Sequence, residues 1–187
     1  TSSSKHSVGS GMESVISQKI EIEKPVLWDT ENPFLYRLVT TVSGRGFHDE
    51  VTTLAGIRYF RFDPEKGFSL NGRAMKLKGV CLHHDAGSLG AAVPRQETER
   101  RLLILKEMGC NAIRTSHNPY SPDFLDLCDS LGFLVINEAF DEWELPKKKW
   151  VEGWNRGTPS KDGYAAFFKE WAVKDLTDFI LRDRNHP

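Results

Sequence analysis

The stretch from Asn111 to Glu138, NAIRTSHNPYSPDFLDLCDSLGFLVINE, constrains the fold of this chain more than any other feature. A short apolar run ends in the polar groups Arg114, Thr115, Ser116 and His117. A helix pattern follows, opened by Ser121, a good N-cap, with Pro122 suited to the first helical position and Asp123 to the positive end of the helix dipole. Phe124, Leu127 and Leu131 recur on one helical face, and Gly132 supplies the stop. A second apolar run then closes in Asn137 and Glu138. Polar side chains at the C-terminal ends of consecutive buried strands are how a parallel α/β barrel presents an active site, so a barrel enzyme is the leading expectation.

Similar units flank this stretch. Arg95 to Met108 is amphipathic, with Leu102, Leu105 and Met108 at helical spacing, Ile104 beside them and Gly109 as terminator. A third helix is predicted from Tyr164 to Arg184, with Phe168, Ala172, Leu176 and Phe179 on one face. Alternation of strand and helix at this spacing implies parallel strands joined by crossovers. Three such units fit in the chain, whereas a closed eight-unit barrel takes about 250 residues. The expectation is therefore a truncated (β/α)8 barrel, its first three units alone.

The N-terminal third has a different texture. Residues Thr1 to Gly11 are rich in Ser and Gly with almost nothing to bury, which reads as a flexible tail. From Val15 to Phe62 the pattern is β: Ile16, Ile20 and Ile22 among polar neighbours, then 34–42, 51–54 and 57–62, with a turn signal at Ser43-Gly44-Arg45-Gly46. Four or five short strands argue for part of an antiparallel sandwich, a complete one needing about seven. Asp63 to Gly67 marks a boundary by its turn chemistry, and Asn71-Gly72 between apolar runs is a hairpin signal. The predicted organisation is a tail over 1–14, a partial sandwich over 15–66 and the barrel portion over 67–187.

Composition excludes several classes. The net charge is -1 with dispersed basic residues, so no nucleic-acid footprint is present. The one basic run, Lys147-Lys148-Lys149, is flanked by Glu144 and Glu152 and reads as a solvated loop. No apolar run approaches the roughly 20 residues that span a bilayer, and no membrane partner is expected. Three cysteines, Cys81, Cys110 and Cys128, each lie in an apolar segment and read as buried thiols rather than a disulfide framework. The compartment is left open.

Several residues can carry chemistry. If strand geometry persists through His83-His84-Asp85, His83 and Asp85 point one way and His84 the other. A metal site would enlist His83, Asp85, His117 and Glu138, but adjacent strand histidines cannot both face one ion. Histidines that are merely hydrogen-bonded in the fold are the bland alternative, and donors or acceptors to a polyhydroxylated ligand the favoured one. Arg114 and Glu138, on neighbouring strand ends, can form a charge-assisted pair that either braces the rim or contacts a ligand. Asp141, Glu142 and Glu144 surround Trp143, with Trp150 and Trp154 following. Aromatics beside carboxylates suit a sugar, whose apolar faces pack on indole while its hydroxyls bond to acids; an ordinary acidic loop is the competing reading.

These motifs resemble glycoside hydrolase family 2, the family of β-galactosidases, β-glucuronidases and β-mannosidases. The likeness is carried by 111–119 continuing through 129–136, by Gly56-Ile57-Arg58, 68–72, Leu77-Lys78-Gly79-Val80 with His83-His84-Asp85, and by 182–187. The His-His-Asp version and Phe140-Asp141-Glu142-Trp143 are closest to β-galactosidase-type members. The resemblance implies an immunoglobulin-like sandwich followed by a catalytic TIM (β/α)8 barrel. It also implies that the acid/base glutamate, on the fourth strand, and the nucleophile, on the seventh, lie beyond Pro187, so the chain alone is expected to be inactive. By that count Asn137-Glu138 ends the third strand, which gives Glu138 a supporting role holding Arg114. His83, His117, Asp141 and Asp85 are then the expected contacts to a carbohydrate substrate. Some relatives bind magnesium through a Glu-x-His in the loop where this chain has Glu142-Trp143-Glu144, so no metal or other cofactor is expected. An open barrel with uncovered apolar faces makes a homo-oligomer plausible. A metal-dependent barrel hydrolase and a non-catalytic carbohydrate-binding fragment are the alternative readings.

Overall fold

The computed structural model describes residues 1–147 and 163–187. Residues 1–35 contain no strand or helix, and Ile16, Ile20 and Ile22 are exposed. The β texture at these positions therefore does not mature into strands, because a lone strand has no ladder partner and no face to bury. The first strands are β1 (Tyr36–Gly44) and β2 (Phe47–Ala55), an antiparallel hairpin paired only with itself among the described residues. Nearly every residue of the hairpin is exposed on both faces.

A second, three-stranded antiparallel sheet follows in the order β3 (Phe60–Asp63), β4 (Gly67–Leu70) and β5 (Arg73–Ala74). The Asp63 carboxylate accepts the N–H groups of Glu65 and Lys66 at 3.0 Å each, which closes the β3–β4 turn. Asn71 and Gly72 both take positive φ, 51° and 78°, as a two-residue hairpin turn between Leu70 and Arg73 requires. Phe60 to Asp63 thus pairs forward with β4 rather than back with the first hairpin.

The third sheet is parallel, in the order β6 (Gly79–His83), β7 (Ala112–Ser116) and β8 (Leu134–Ile136). Its crossovers are α1 (Arg95–Glu107) and α2 (Pro122–Leu131), and α3 (Phe168–Asp183) follows β8. Ser121 caps α2 by accepting from the Phe124 N–H at 3.3 Å, and Gly132 ends it at φ 76°. One face of the sheet packs its Ile113, Leu82 and Val135 against Leu102, Phe124, Leu127 and Cys128 of the helices. In α1 the helical stripe is narrower than its spacing suggests: Leu102 is buried but Met108 lies exposed beyond the helix end. Along α3, Phe168, Ala172 and Phe179 are half-buried and Leu176 is exposed, and among the described residues no fourth parallel strand lies beside β8 to cover them. Among the described residues no helix is long and apolar enough to cross a membrane.

The floor of the parallel sheet is closed from the N-terminal side by Trp28, which is fully buried with Leu70, Ala112 and Leu134. Its indole N–H donates to the Asp129 carbonyl at 2.7 Å, its own N–H to Ile57 at 2.8 Å, and Asn71 Nδ2 donates to its carbonyl at 2.9 Å. Lys106 Nζ donates to the Thr30 and Gly132 carbonyls at 2.6 and 3.0 Å. A side chain at Gly132 would meet Thr30 O at 2.6 Å in addition to its positive φ. Asp129, buried near the end of α2, is paired with His186 Nδ1 at 2.6 Å. Trp28 thus joins the segment before the barrel to α2, and Trp28→Ala is expected to lower unfolding free energy by about 3–5 kcal/mol in urea melts. A loss below about 1 kcal/mol would show that the floor is held by other contacts.

Candidate functional site

The parallel strands deliver their C-terminal ends to one rim. β6 ends at His83, which is level with Ser116 of β7, and Arg114 is level with both Cys81 and Ile136. His117 follows β7, and Asn137 and Glu138 follow β8. The Ser116–His117 peptide is cis.

Glu138 is the hub of the rim. Arg114 Nε donates to its Oε1, and His117 Nδ1 lies 2.6 Å from its Oε2. Arg114 Nη1 also reaches Cys81 Sγ at 3.3 Å. Burial works to raise the Glu138 carboxyl, but hydrogen bonds from His117 and Arg114 outweigh it and hold the group below the ordinary carboxylate value. The same bonds, from Glu138 first and Cys81 second, push the Arg114 guanidinium upward. Glu138 therefore stays ionised with both oxygens occupied.

A second chain of bonds holds Glu138 in place from behind. The Glu138 N–H donates to Thr115 Oγ1 at 2.9 Å, and that hydroxyl donates to Asn137 Oδ1 at 3.1 Å. Asn137 Nδ2 donates to Asp183 at 2.9 Å, tying β8 to α3. Arg182 grips Asp183 and donates to the Tyr120 carbonyl at 2.8 Å.

The residues expected to meet a ligand divide into two groups. His83 and His117 come together, their rings nearly perpendicular at 5.5 Å beside the Arg114–Glu138 pair. His84, just past the strand end, instead packs its ring against Tyr120 at 5.3 Å. Asp85 does not join His83. The strand ends at His83, the Asp85 N–H folds back onto the His83 carbonyl at 2.9 Å, and its carboxylate lies 3.8 Å from Arg101 on α1. Asp141 pairs with Lys147 at 3.4 Å within its own loop. Glu142 is buried and accepts from the N–H groups of Lys147 and Ala165 at 2.6 and 3.1 Å, so it organises that loop internally. Trp143 leans on Phe168, and Phe140 stacks on Tyr164 at 5.1 Å. Trp150 and Trp154, Lys148, Lys149 and Glu152 lie outside the described residues.

His83, Asp85, His117 and Glu138 do not gather as a metal-binding set. Among the described residues the donors within 4.8 Å of one another are Asp126, Asp129 and His186, at the floor rather than the rim. Cys128 is buried, but Cys110 is half-buried and Cys81 exposed, because its face of the sheet is uncovered here. The contact of Cys81 with Arg114 had no signal in the sequence beyond strand register. A cavity of about 420 Å³ beside Ile136 is lined by Phe60, Phe62, Phe68, Phe179 and Ile180 together with charged groups such as Arg58 and Asp183.

Comparison with known proteins decides the lineage. The model of the glycosyl hydrolases family 2 TIM barrel domain matches residues 64–187, and that of glycosyl hydrolases family 2 matches residues 1–58. The chain belongs to glycosyl hydrolase family 2. It is 53% identical over 178 residues to a β-galactosidase of Bacteroides ovatus, an alignment spanning 95% of this chain and 20% of that protein. It is 35% identical to a β-glucuronidase of Bacteroides fragilis, over 89% of this chain and 23% of the other. Among solved structures, a β-glycosidase from Bacteroides vulgatus superimposes with a TM-score of 0.78 at 47% identity, covering 89% of this chain and 20% of that one. The chain thus spans about one fifth of the length of these relatives. Its parts correspond to the family's N-terminal region and the start of its barrel domain, and the parallel β6–β7–β8 rim is the beginning of that barrel.

Thr115 is the fully buried bridge between β7 and the Asn137–Glu138 pair of this rim. Thr115→Val, which keeps the shape but leaves the half-buried Glu138 N–H and Asn137 Oδ1 without this partner, is expected to cost about 1 kcal/mol in chemical denaturation. A neutral result would mean that the strand ends are held without it.

Proposed function

We propose that this chain is the sandwich-to-barrel junction of a retaining β-glycosidase acting on terminal β-galactosyl residues. In this reading residues 15–66 belong to an immunoglobulin-like sandwich, residues 67–187 supply the first three units of a (β/α)8 barrel, and the rim forms part of the first sugar subsite. The observation that supports it most is the meeting of His83, Arg114, His117 and Glu138 at the C-terminal ends of parallel strands, in a chain of this family. Active sites of such barrels lie at that face.

Retention needs two carboxyl groups about 5–5.5 Å apart, one cycling as acid and base and the other forming the glycosyl–enzyme bond. Glu138 suits neither task. A general acid must hold its proton near neutral pH, whereas the Glu138 carboxyl is held below its ordinary value. A nucleophile needs a free oxygen, whereas both of its oxygens are bonded. Its role in the proposal is to brace Arg114 and His117, and the two catalytic carboxylates come from later barrel strands. His83 and His117 contact the sugar hydroxyls, and the Asp141 loop and Asp85 line the approach. No metal or other cofactor is assigned.

The choice of galactose over glucuronate is supported by the 53% identity to the Bacteroides ovatus β-galactosidase, against 42% to a putative β-glucuronidase of Formosa agariphila. The purified 187-residue chain is expected to release no aryl alcohol from an aryl β-galactoside above the uncatalysed rate. Galactose, but not glucuronate, should shift the His83 and His117 ring signals in NMR titration. Turnover abolished by Glu138→Gln would overturn the assignment of Glu138 as a brace, and a response to glucuronate alone would overturn the choice of sugar.

A further inference from the structure

We infer that Glu138 is a positioning residue that fixes which ring nitrogen of His117 carries the proton, leaving Nε2 as a lone-pair acceptor for a ligand hydroxyl. The inference rests on the sugar-pocket reading for its ligand but not for the proton placement itself. An ionised carboxylate can only accept, and Oε2 lies 2.6 Å from His117 Nδ1, so Nδ1 must donate. The competing partner of the same nitrogen is Arg114 Nη2 at 3.4 Å, a donor that would need the lone pair of Nδ1. That arrangement would leave two acceptors 2.6 Å apart, and its own contact sits at the long limit of a hydrogen bond. The shorter, charge-assisted contact prevails.

The consequence falls on the other side of the ring. The His117 side chain is 38% exposed, and no described residue hydrogen-bonds its Nε2. In the neutral ring this nitrogen offers a lone pair and no proton. It therefore accepts from a hydroxyl and repels a carboxylate or carbonyl oxygen, which can offer only further lone pairs. Arg114 makes the arrangement self-consistent. By engaging Oε1 it orients the carboxylate so that Oε2 faces His117.

Glu138→Gln gives a sharp contrast. Arg114 retains the side-chain oxygen, the amide NH2 turns toward His117, and Nδ1 must then accept, so the ring proton moves to Nε2. Long-range 1H–15N spectra of the histidine-labelled chain at mildly alkaline pH read this directly, with His117→Gln used to assign the ring signals. The expected result is a protonated Nδ1 and bare Nε2 in the unaltered chain, inverted in Glu138→Gln. A protonated Nε2 in the unaltered chain overturns the inference, whether or not the variant folds. An uninverted ring in a folded Glu138→Gln chain overturns it too. Neither outcome depends on galactose, so a failure of the sugar reading would appear separately, as an absent response to the titration.

Discussion

Parallel register among β6, β7 and β8 is the constraint on which the rest of this molecule depends. Each strand is short, five, five and three residues, and none carries a site by itself. Because side chains alternate along a strand and the ladder runs in one direction, level pairing places Cys81, Arg114 and Ile136 side by side. The residues that follow each strand then emerge together at one rim. A slip of one residue would turn Arg114 toward the helices and its neighbours toward the open face, and the Arg114–Glu138–His117 cluster could not form.

Two sets of contacts protect that register from opposite ends. At the floor, Trp28 fills the space under Ala112 and Leu134 and fastens the preceding segment to α2 through the Asp129 carbonyl. At the rim, Thr115, Asn137 and Asp183 link β7, β8 and α3 in one hydrogen-bonded line. Glu138 sits in front of that line with its backbone held by Thr115 and its carboxylate shared between Arg114 and His117. With both oxygens so occupied, the carboxylate fits the bracing role proposed for it.

What could be read from the sequence follows from how local each cause is. The α2 helix was legible at both ends because Ser121, Pro122 and Gly132 act within one turn of themselves. The Asn71-Gly72 hairpin was legible for the same reason, since its two positive φ angles belong to those two residues. The polar strand ends were legible as a set because the apolar runs before them fixed where each strand stops. Strand count in the N-terminal region was not legible. Ile16, Ile20 and Ile22 have a strand-like pattern, yet a strand exists only where a partner completes its ladder. Asp85 was grouped with His83 by alternation, but the strand ends at His83 and the carboxylate lies beside Arg101 on the following helix, α1. The floor contact was missed, because Trp28 and Asp129 are 101 residues apart and Trp28 stands in no local motif.

Inter-strand NOEs from the 187-residue chain test the central claim most directly. The register predicts backbone contacts between Val80 and Ile113, Cys81 and Arg114, and Arg114 and Ile136, all in the parallel pattern. An antiparallel pattern, or contacts displaced by one residue along either pair, would contradict it and dissolve the rim with it.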